Sequence, residues 1–257
     1  MNRFKSSAEL KASAREHLLG HYGTTIGAFM LMGLIIGIVS CVVVFLVPPY
    51  TVINVILYYA IMFLVSVLTG LFNSGIAYLY LKLVCERPVS VGDLFYGFQL
   101  CPEKAIMMQA WITLLTYIAS LPQIVITYMM NKVTLSGDMT LLLSENQMMQ
   151  LTKFMLPYSL ALILSGVVSV ILNLVYAQAF FLLHDFPQYS ASELLKKSRR
   201  LMVHHKGRFF YLCVSFIPLF LLAFLSWGLA LLWVLPYMAA TEAEFFLDLI
   251  KNNTEAA

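Results

Sequence analysis

Charge is what this chain has least of. Of its 257 residues only 11% are charged, 13 acidic and 16 basic, where an average soluble domain carries about 25%. So few charges cannot cover a water-facing surface over a composition that is 61% hydrophobic with a mean hydropathy of +0.84. The bilayer is therefore the expected solvent. The net charge of +3 is too small to argue for nucleic acid. Cysteine is scarce as well: the spacing of Cys41, Cys85, Cys101 and Cys213 suits neither a zinc site nor a disulfide framework. Also missing are HExxH, a GxSxG elbow and a glycine-rich phosphate loop with its lysine. We therefore expect no catalysis, no cofactor and no metal. No small-residue cleavage site follows the first apolar run, which reads as a retained anchor.

What is present is a series of apolar runs, each near or above the roughly 20 residues that cross a bilayer. They cover about Thr24 to Val47, Val52 to Val84, Ala105 to Met130, Phe154 to Leu183 and Phe209 to Leu249. Pro48 and Pro49 stop the first, since proline lacks an amide proton and disfavours helix in the residue before it. The last run is too long for one straight span, and "SWG" at Ser226 to Gly228 offers a turn. The expectation is an all-α, polytopic transmembrane helical bundle of six spans. Five spans and a surface-lying tail are the alternative.

The bases orient the bundle. Thirteen Lys and Arg lie before the first span, between the second and third, and between Asp185 and Phe209, while the intervening loops hold only Lys132 and Lys153. Retention of bases on the cytoplasmic side puts the N-terminus and both basic loops inside, and Asn131 to Lys153 outside. Three of these cytoplasmic segments open on the same pattern: "SSAEL" from Ser6, "SVGDL" from Ser90 and "SASEL" from Ser190. Serine followed three residues later by a carboxylate is a capping box, in which each side chain accepts from the other residue's amide. The carboxylate also sits at the positive end of the helix dipole. Ser6 with Glu9, Ser90 with Asp93 and Ser190 with Glu193 are thus expected to start three short helices. Leu10, Ala14 and Leu18 form a stripe on the first. Leu94, Phe95 and Phe98 mark the middle one, which Pro102 ends. Leu194, Leu195, Leu201 and Met202 form a stripe on the third. Such helices are expected to lie in the interface, apolar side down, with bases toward anionic headgroups. In the third, Lys196, Lys197, Arg199, Arg200, Lys206 and Arg208 are the expected contacts for anionic lipid or a partner.

The three patterns suggest a repeat. Shifting the chain by 100 residues matches Asn73 with Asn173, Ala77 with Ala177, Ser90 with Ser190 and Leu94 with Leu194. The unit is an interfacial helix plus a transmembrane hairpin, repeated in parallel over about 6–84, 90–183 and 190–250 within one integral-membrane domain, 1–257. Ionisable residues are absent from the middle of the first five spans, with Lys82 placed to snorkel from an end. A milder polar set keeps helical spacing: Ser66, Thr69, Gly70 and Asn73 in the second span, Ser165, Ser169 and Asn173 in the fourth. Small and hydrogen-bonding residues on one face read as packing seams rather than a substrate path, with both asparagines facing inward. Glu242 and Glu244 should emerge near the cytoplasmic surface. His17 and His21, one helical turn apart, read as interfacial polar residues rather than a metal pair.

"SSAELKASAREHLLGHYGTTIGAF", "YLKLVCERPVSVGDLFYGF" and the closing "HKGRFFYLCVSFIPLFLLAFLSWGLALLWVLPYMAATEAEFF" resemble an uncharacterised bacterial integral-membrane family, domain-of-unknown-function family nine-seven-five. The resemblance is strongest at "WVLPY" with the following Thr and the pair Phe245, Phe246. It is distantly similar, too, to the membrane domain attached to some glycerophosphodiester phosphodiesterases, whose catalytic domain has no counterpart here. The resemblance implies a multi-span protein of the bacterial cytoplasmic membrane and no established activity. The expected role is a non-catalytic scaffold, sensor or accessory subunit interacting with lipid. The alternative is a small permease or lipid-handling transporter with a polar cavity between the hairpins, which a reconstituted flux assay would reveal.

Overall fold

The computed structural model describes residues 4–49, 51–135 and 145–254, and among these no strand occurs. α1 (Ser7–Leu18) closes at Gly20, whose φ of +83° is open to glycine without steric cost. α2 (Tyr22–Leu46) ends just before the Pro48–Pro49 pair. α3 is Val52–Val84 and is followed by a 3-10 helix, Val91–Phe98. α4 (Pro102–Leu135) begins on a proline, which suits the first helical position because that amide has no intrahelical partner anyway. Pro102 therefore opens the next helix rather than ending the last one.

α5 (Glu145–Tyr176) passes into the short α6 (Ala179–Asp185), and α7 is Ala191–Leu201. α8 (Lys206–Val214) and α9 (Ile217–Leu225) form one apolar rod interrupted beside Pro218, which removes an amide and crowds the carbonyl four residues earlier. After the turn at Ser226–Gly228, with Gly228 at φ +88°, α10 runs over Leu231–Thr254.

Five stretches are long and apolar enough to cross a membrane: Tyr22–Leu46, Val52–Val84, Pro102–Val133, Met148–Asp185 and Lys206–Leu225. α10 is not among them, since it carries Glu242, Glu244, Asp248 and Lys251. Nor is it a loose tail. It returns antiparallel along α8 and α9, with ring centroids 5.1 Å apart for Phe216–Tyr237 and 5.1 Å for Phe209–Phe245, and with Arg208 bonded to Asp248 at 2.8 Å.

The chain forms two compact units, Met1–Ile36 with Leu68–Gln109 and Leu174–Ala257, and Gly37–Val67 with Ala110–Asn173. The first contains the principal core: Leu10, Met202, Phe209, Leu212, Phe216, Phe245 and Leu249 are all at most 2% exposed. α1 lies along α10 with Leu10, Ala14 and Leu18 buried. Burying leucines of this kind is worth about 1.5–3 kcal/mol each. The interfacial reading of α1 is thereby corrected: its apolar stripe is covered by protein and is not available to lipid.

The second unit holds a T-shaped aromatic cluster, Tyr59–Tyr117 and Phe63–Tyr117, and turns large side chains such as Ile53, Leu156 and Ile163 outward. Outward apolar surface on this scale is what acyl chains solvate.

Candidate functional site: the basic helical layer and its anchors

α7 is built by its cap. Ser190 N donates to Glu193 Oε2 at 2.8 Å and Glu193 N to Ser190 Oγ at 3.4 Å. The same reciprocal pair opens α1, at 2.6 Å for Ser6 N to Glu9 Oε2 and 3.3 Å for Glu9 N to Ser6 Oγ. At the 3-10 helix Ser90 N donates to Asp93 Oδ2 at 2.8 Å. Asp93 does a second job there: both its oxygens lie 2.9 Å from Lys82 Nζ. Lys82 therefore does not snorkel but anchors the 3-10 helix to the end of α3.

The apolar face of α7 points into the protein. Leu194 and Met202 are fully buried and Leu195 nearly so, while Ser198 Oγ donates to the Val175 carbonyl at 3.0 Å. That carbonyl lies close before the break between α5 and α6. The bases divide by role. Lys196, Arg199 and Arg200 are exposed. Lys197 Nζ stands 3.4 Å from the centroid of Tyr189 and 4.8 Å from that of Phe186. Lys206 is half-buried. Arg208 is already committed: it donates to Asp248 Oδ2 and to the Lys5 carbonyl, both at 2.8 Å, and its guanidinium lies against Phe4 and Phe245. Arg208 is thus a structural anchor in addition to any lipid role.

Two carboxylates one turn apart on α10 receive α1, and neither was foreseen in that role. Glu244, whose side chain is 4% exposed, lies 3.1 Å from Lys5 Nζ and 3.1 Å from His17 Nε2, and accepts from Ser13 Oγ at 2.8 Å. Asp248 accepts from Lys5 N at 3.2 Å and from Asn252 Nδ2 at 3.1 Å besides Arg208. Lys11 Nζ reaches the Ser215 carbonyl at 2.9 Å, at the α8–α9 break. Burial, with Arg15 adding to it, pushes the Lys11 ammonium down. The bases of α1 that sequence periodicity aimed at headgroups are in part consumed by this docking.

The polar set of the spans separates. Asn73 Nδ2 donates to Gln109 Oε1 at 3.3 Å, and Ser165 Oγ to Gln123 Oε1 at 3.1 Å. Ser66 hydrogen-bonds Tyr117, Ser169 Oγ donates to the Ser165 carbonyl at 2.8 Å, and Thr69 is half-buried. Two glutamines of α4 are therefore the partners. Asn173 departs from the expectation: it is exposed, on a part of α5 where Val170 and Ile171 are exposed as well. It does not face the interior, because little of that stretch is packed against protein.

Glycine makes the closest approaches. A Cβ on Gly75 would overlap the Leu94 carbonyl, and one on Gly97 the Leu71 carbonyl, so α3 and the 3-10 helix touch backbone to backbone. Gly70 abuts Gln109 and the Ala105 carbonyl in the same way.

Residues 1–253 match the family described as "Protein of unknown function (DUF975)". The chain belongs to this family. Neither a curated protein nor a solved structure matches it.

The capping box of this DUF975 chain yields a pH-dependent expectation. The Ser190 amide and hydroxyl hold the Glu193 carboxyl below its usual 4.5. A depressed folded pKa means the carboxylate half of the cap is fully present above that usual value and is lost as pH falls through the lower folded one. Ser190→Ala should cost about 1 kcal/mol at neutral pH, and hydrogen exchange of the α7 amides is the measurement. Part of that difference should persist in strong acid, because the Ser190 Oγ that accepts from the Glu193 amide does not titrate.

Proposed function

We propose that this chain is a non-catalytic multi-span protein of the bacterial cytoplasmic membrane whose basic helical layer, on the cytoplasmic side, binds anionic lipid headgroups or an acidic partner. It would act as a scaffold, sensor or accessory subunit. One observation carries this reading. Lys196, Arg199 and Arg200 project from a helix whose apolar face is already buried in protein, and no carboxylate forms an ion pair with them among the described residues. Juxtamembrane bases are worth about 1 kcal/mol each against an anionic leaflet, and the attraction fades within a Debye length of about 8–10 Å.

We read α10 as the sixth span and the chain as three units, 6–84, 90–183 and 190–250. The charges of α10 gather toward the cytoplasmic end of the helix, where Glu244 and Asp248 are paired with Lys5 and Arg208, which leaves the apolar first half to span. Short capped helix, long helix and long helix occur in that order twice, and α7, the broken α8–α9 rod and α10 follow the same order a third time, which supports the same division.

Replacing Lys196, Lys197, Arg199 and Arg200 together with glutamine should markedly reduce phosphatidylglycerol retained by the purified protein, read by native mass spectrometry, with helix content unchanged. Unchanged retention at low salt would reduce the cluster to an orientation signal and sink the lipid-binding role.

A further inference from the structure

Beside the exposed bases of α7 lies a cleft of about 440 Å³, within the size range of small-ligand sites. Four elements wall it: α6 with the residue after it, α7, the α7–α8 turn and α10. Its polar lining consists of Lys197, Arg200, His204 and His205, and its apolar lining of Leu182, Phe186, Leu201 and Ile250. Among the described residues no carboxylate lines it. Asp248, which acts on His205 electrostatically, is itself bonded to Arg208 at 2.8 Å.

The cleft carries unspent hydrogen-bonding capacity. Of its lining residues, His205 has its Nδ1 buried without a hydrogen-bond partner. Buried polar atoms of this kind call for a bound group to satisfy them. The His205 ring is fixed by Phe4, at a centroid distance of 4.7 Å, so its nitrogen is preset rather than free to seek water. Burial, together with Arg208 and His204, pushes the His205 imidazolium down, with Asp248 opposing the shift.

We propose that this cleft is a binding site for a phosphate group, the apolar wall receiving the organic part of a phosphate ester. The proposal rests on the anionic-ligand reading above and narrows it from a charged surface to one site. The chemistry follows from the residue types. A guanidinium offers a planar fork of donors that matches phosphate oxygens. Lys197 adds a point charge, held in place by Tyr189 and Phe186. His204 and His205 add imidazole nitrogens from the α7–α8 turn. A free inorganic ion would use the cationic half alone, whereas a phospholipid headgroup would use both halves.

The test uses the full chain, purified in a zwitterionic detergent and labelled at histidine, with His204 and His205 followed by NMR. The probes are dioctanoyl phosphatidylglycerol, inorganic phosphate and, as the net-neutral control, dioctanoyl phosphatidylcholine. Saturable shifts of both imidazoles are expected. With phosphatidylglycerol alone they assign a lipid source. If inorganic phosphate also saturates the site and displaces the lipid, they assign a soluble phosphate source. Arg200→Gln combined with His204→Gln should weaken binding about tenfold or more, the scale of one lost charge-assisted hydrogen bond. Arg200→Lys should keep part of the affinity, which guards against a folding artefact. Lys132→Gln with Lys153→Gln, at exposed positions outside both the cleft and the basic layer, should leave the saturable site within about twofold, while Lys196→Gln with Arg199→Gln probes the surface reading through phosphatidylglycerol retention. The site is refuted if neither phosphate probe shifts the imidazoles, or if the cleft pair binds as the parent does. If the cleft pair binds normally while the Lys196, Arg199 pair loses phosphatidylglycerol retention, this inference fails and the surface reading stands. If neither pair changes anything, both fall.

Discussion

Gly75→Ala is expected to prevent accumulation of the folded protein, or to cost about 3 kcal/mol, the upper end for overpacking a filled interior. The reason is geometric: the new methyl would overlap the Leu94 carbonyl, and backbone cannot swing aside as a flexible side chain can. Separating α3 from the 3-10 helix would also pull Asp93 from Lys82, now 2.9 Å apart. Gly97→Ala should behave alike, because its methyl would meet the Leu71 carbonyl. Gly33→Ala and Gly166→Ala are the controls. Nothing lies within 4 Å of a Cβ at either position, and alanine is the better helix former by about 1 kcal/mol. Both should be neutral or slightly stabilising in a thermal-denaturation series in detergent. Equal loss at all four positions would show that glycine's flexibility, not close approach, is what these helices need.

The second large effect belongs to Glu244. Glu244→Leu removes the common partner of Lys5, Ser13 and His17 from a site 4% exposed. Breaking a buried pair by deleting one member costs roughly 3–5 kcal/mol. The lower end applies here, since Lys5 is 47% exposed and can regain water. The loss should be local. α1 should detach from α10, so that hydrogen exchange over residues 7–18 accelerates while α3 and α4 keep their protection. Glu244→Gln, which retains an acceptor for Ser13, should lose less. Uniform acceleration along the chain would mean that α1 is integral to the core rather than docked on it.

Legibility in the sequence followed the range of the interactions. The three caps were readable because serine and carboxylate are three residues apart and bond within one turn. The breaks at Pro48 and at Ser226–Gly228 were readable because proline and glycine act through their own backbone. The destination of the stripes was not. Leu10, Ala14 and Leu18 have the same periodicity whether lipid or α10 covers them, and the answer depends on partners such as Glu244, 239 positions from Lys5. Lys82 shows the same limit at shorter range, since snorkelling and pairing with Asp93 use the same residue at the same helix end. Asn73 and Asn173 match under a shift of 100 residues, yet Gln109 receives the first while the second is exposed. Sequence likeness conserved the residue type, and the packing around each site decided its environment. Gln109 and Gln123 escaped notice because a lone glutamine in an apolar run carries no spacing signal.

The central claim is that the basic layer faces the cytoplasm, where the anionic leaflet is. Cys85 is exposed between α3 and the 3-10 helix, in one of the basic loops, and makes the test with a native side chain. With Cys41, Cys101 and Cys213 replaced by serine or alanine, a membrane-impermeant maleimide should label Cys85 in inverted membrane vesicles and leave it unlabelled in intact cells. Labelling in intact cells would place the bases on the outer face and contradict the account.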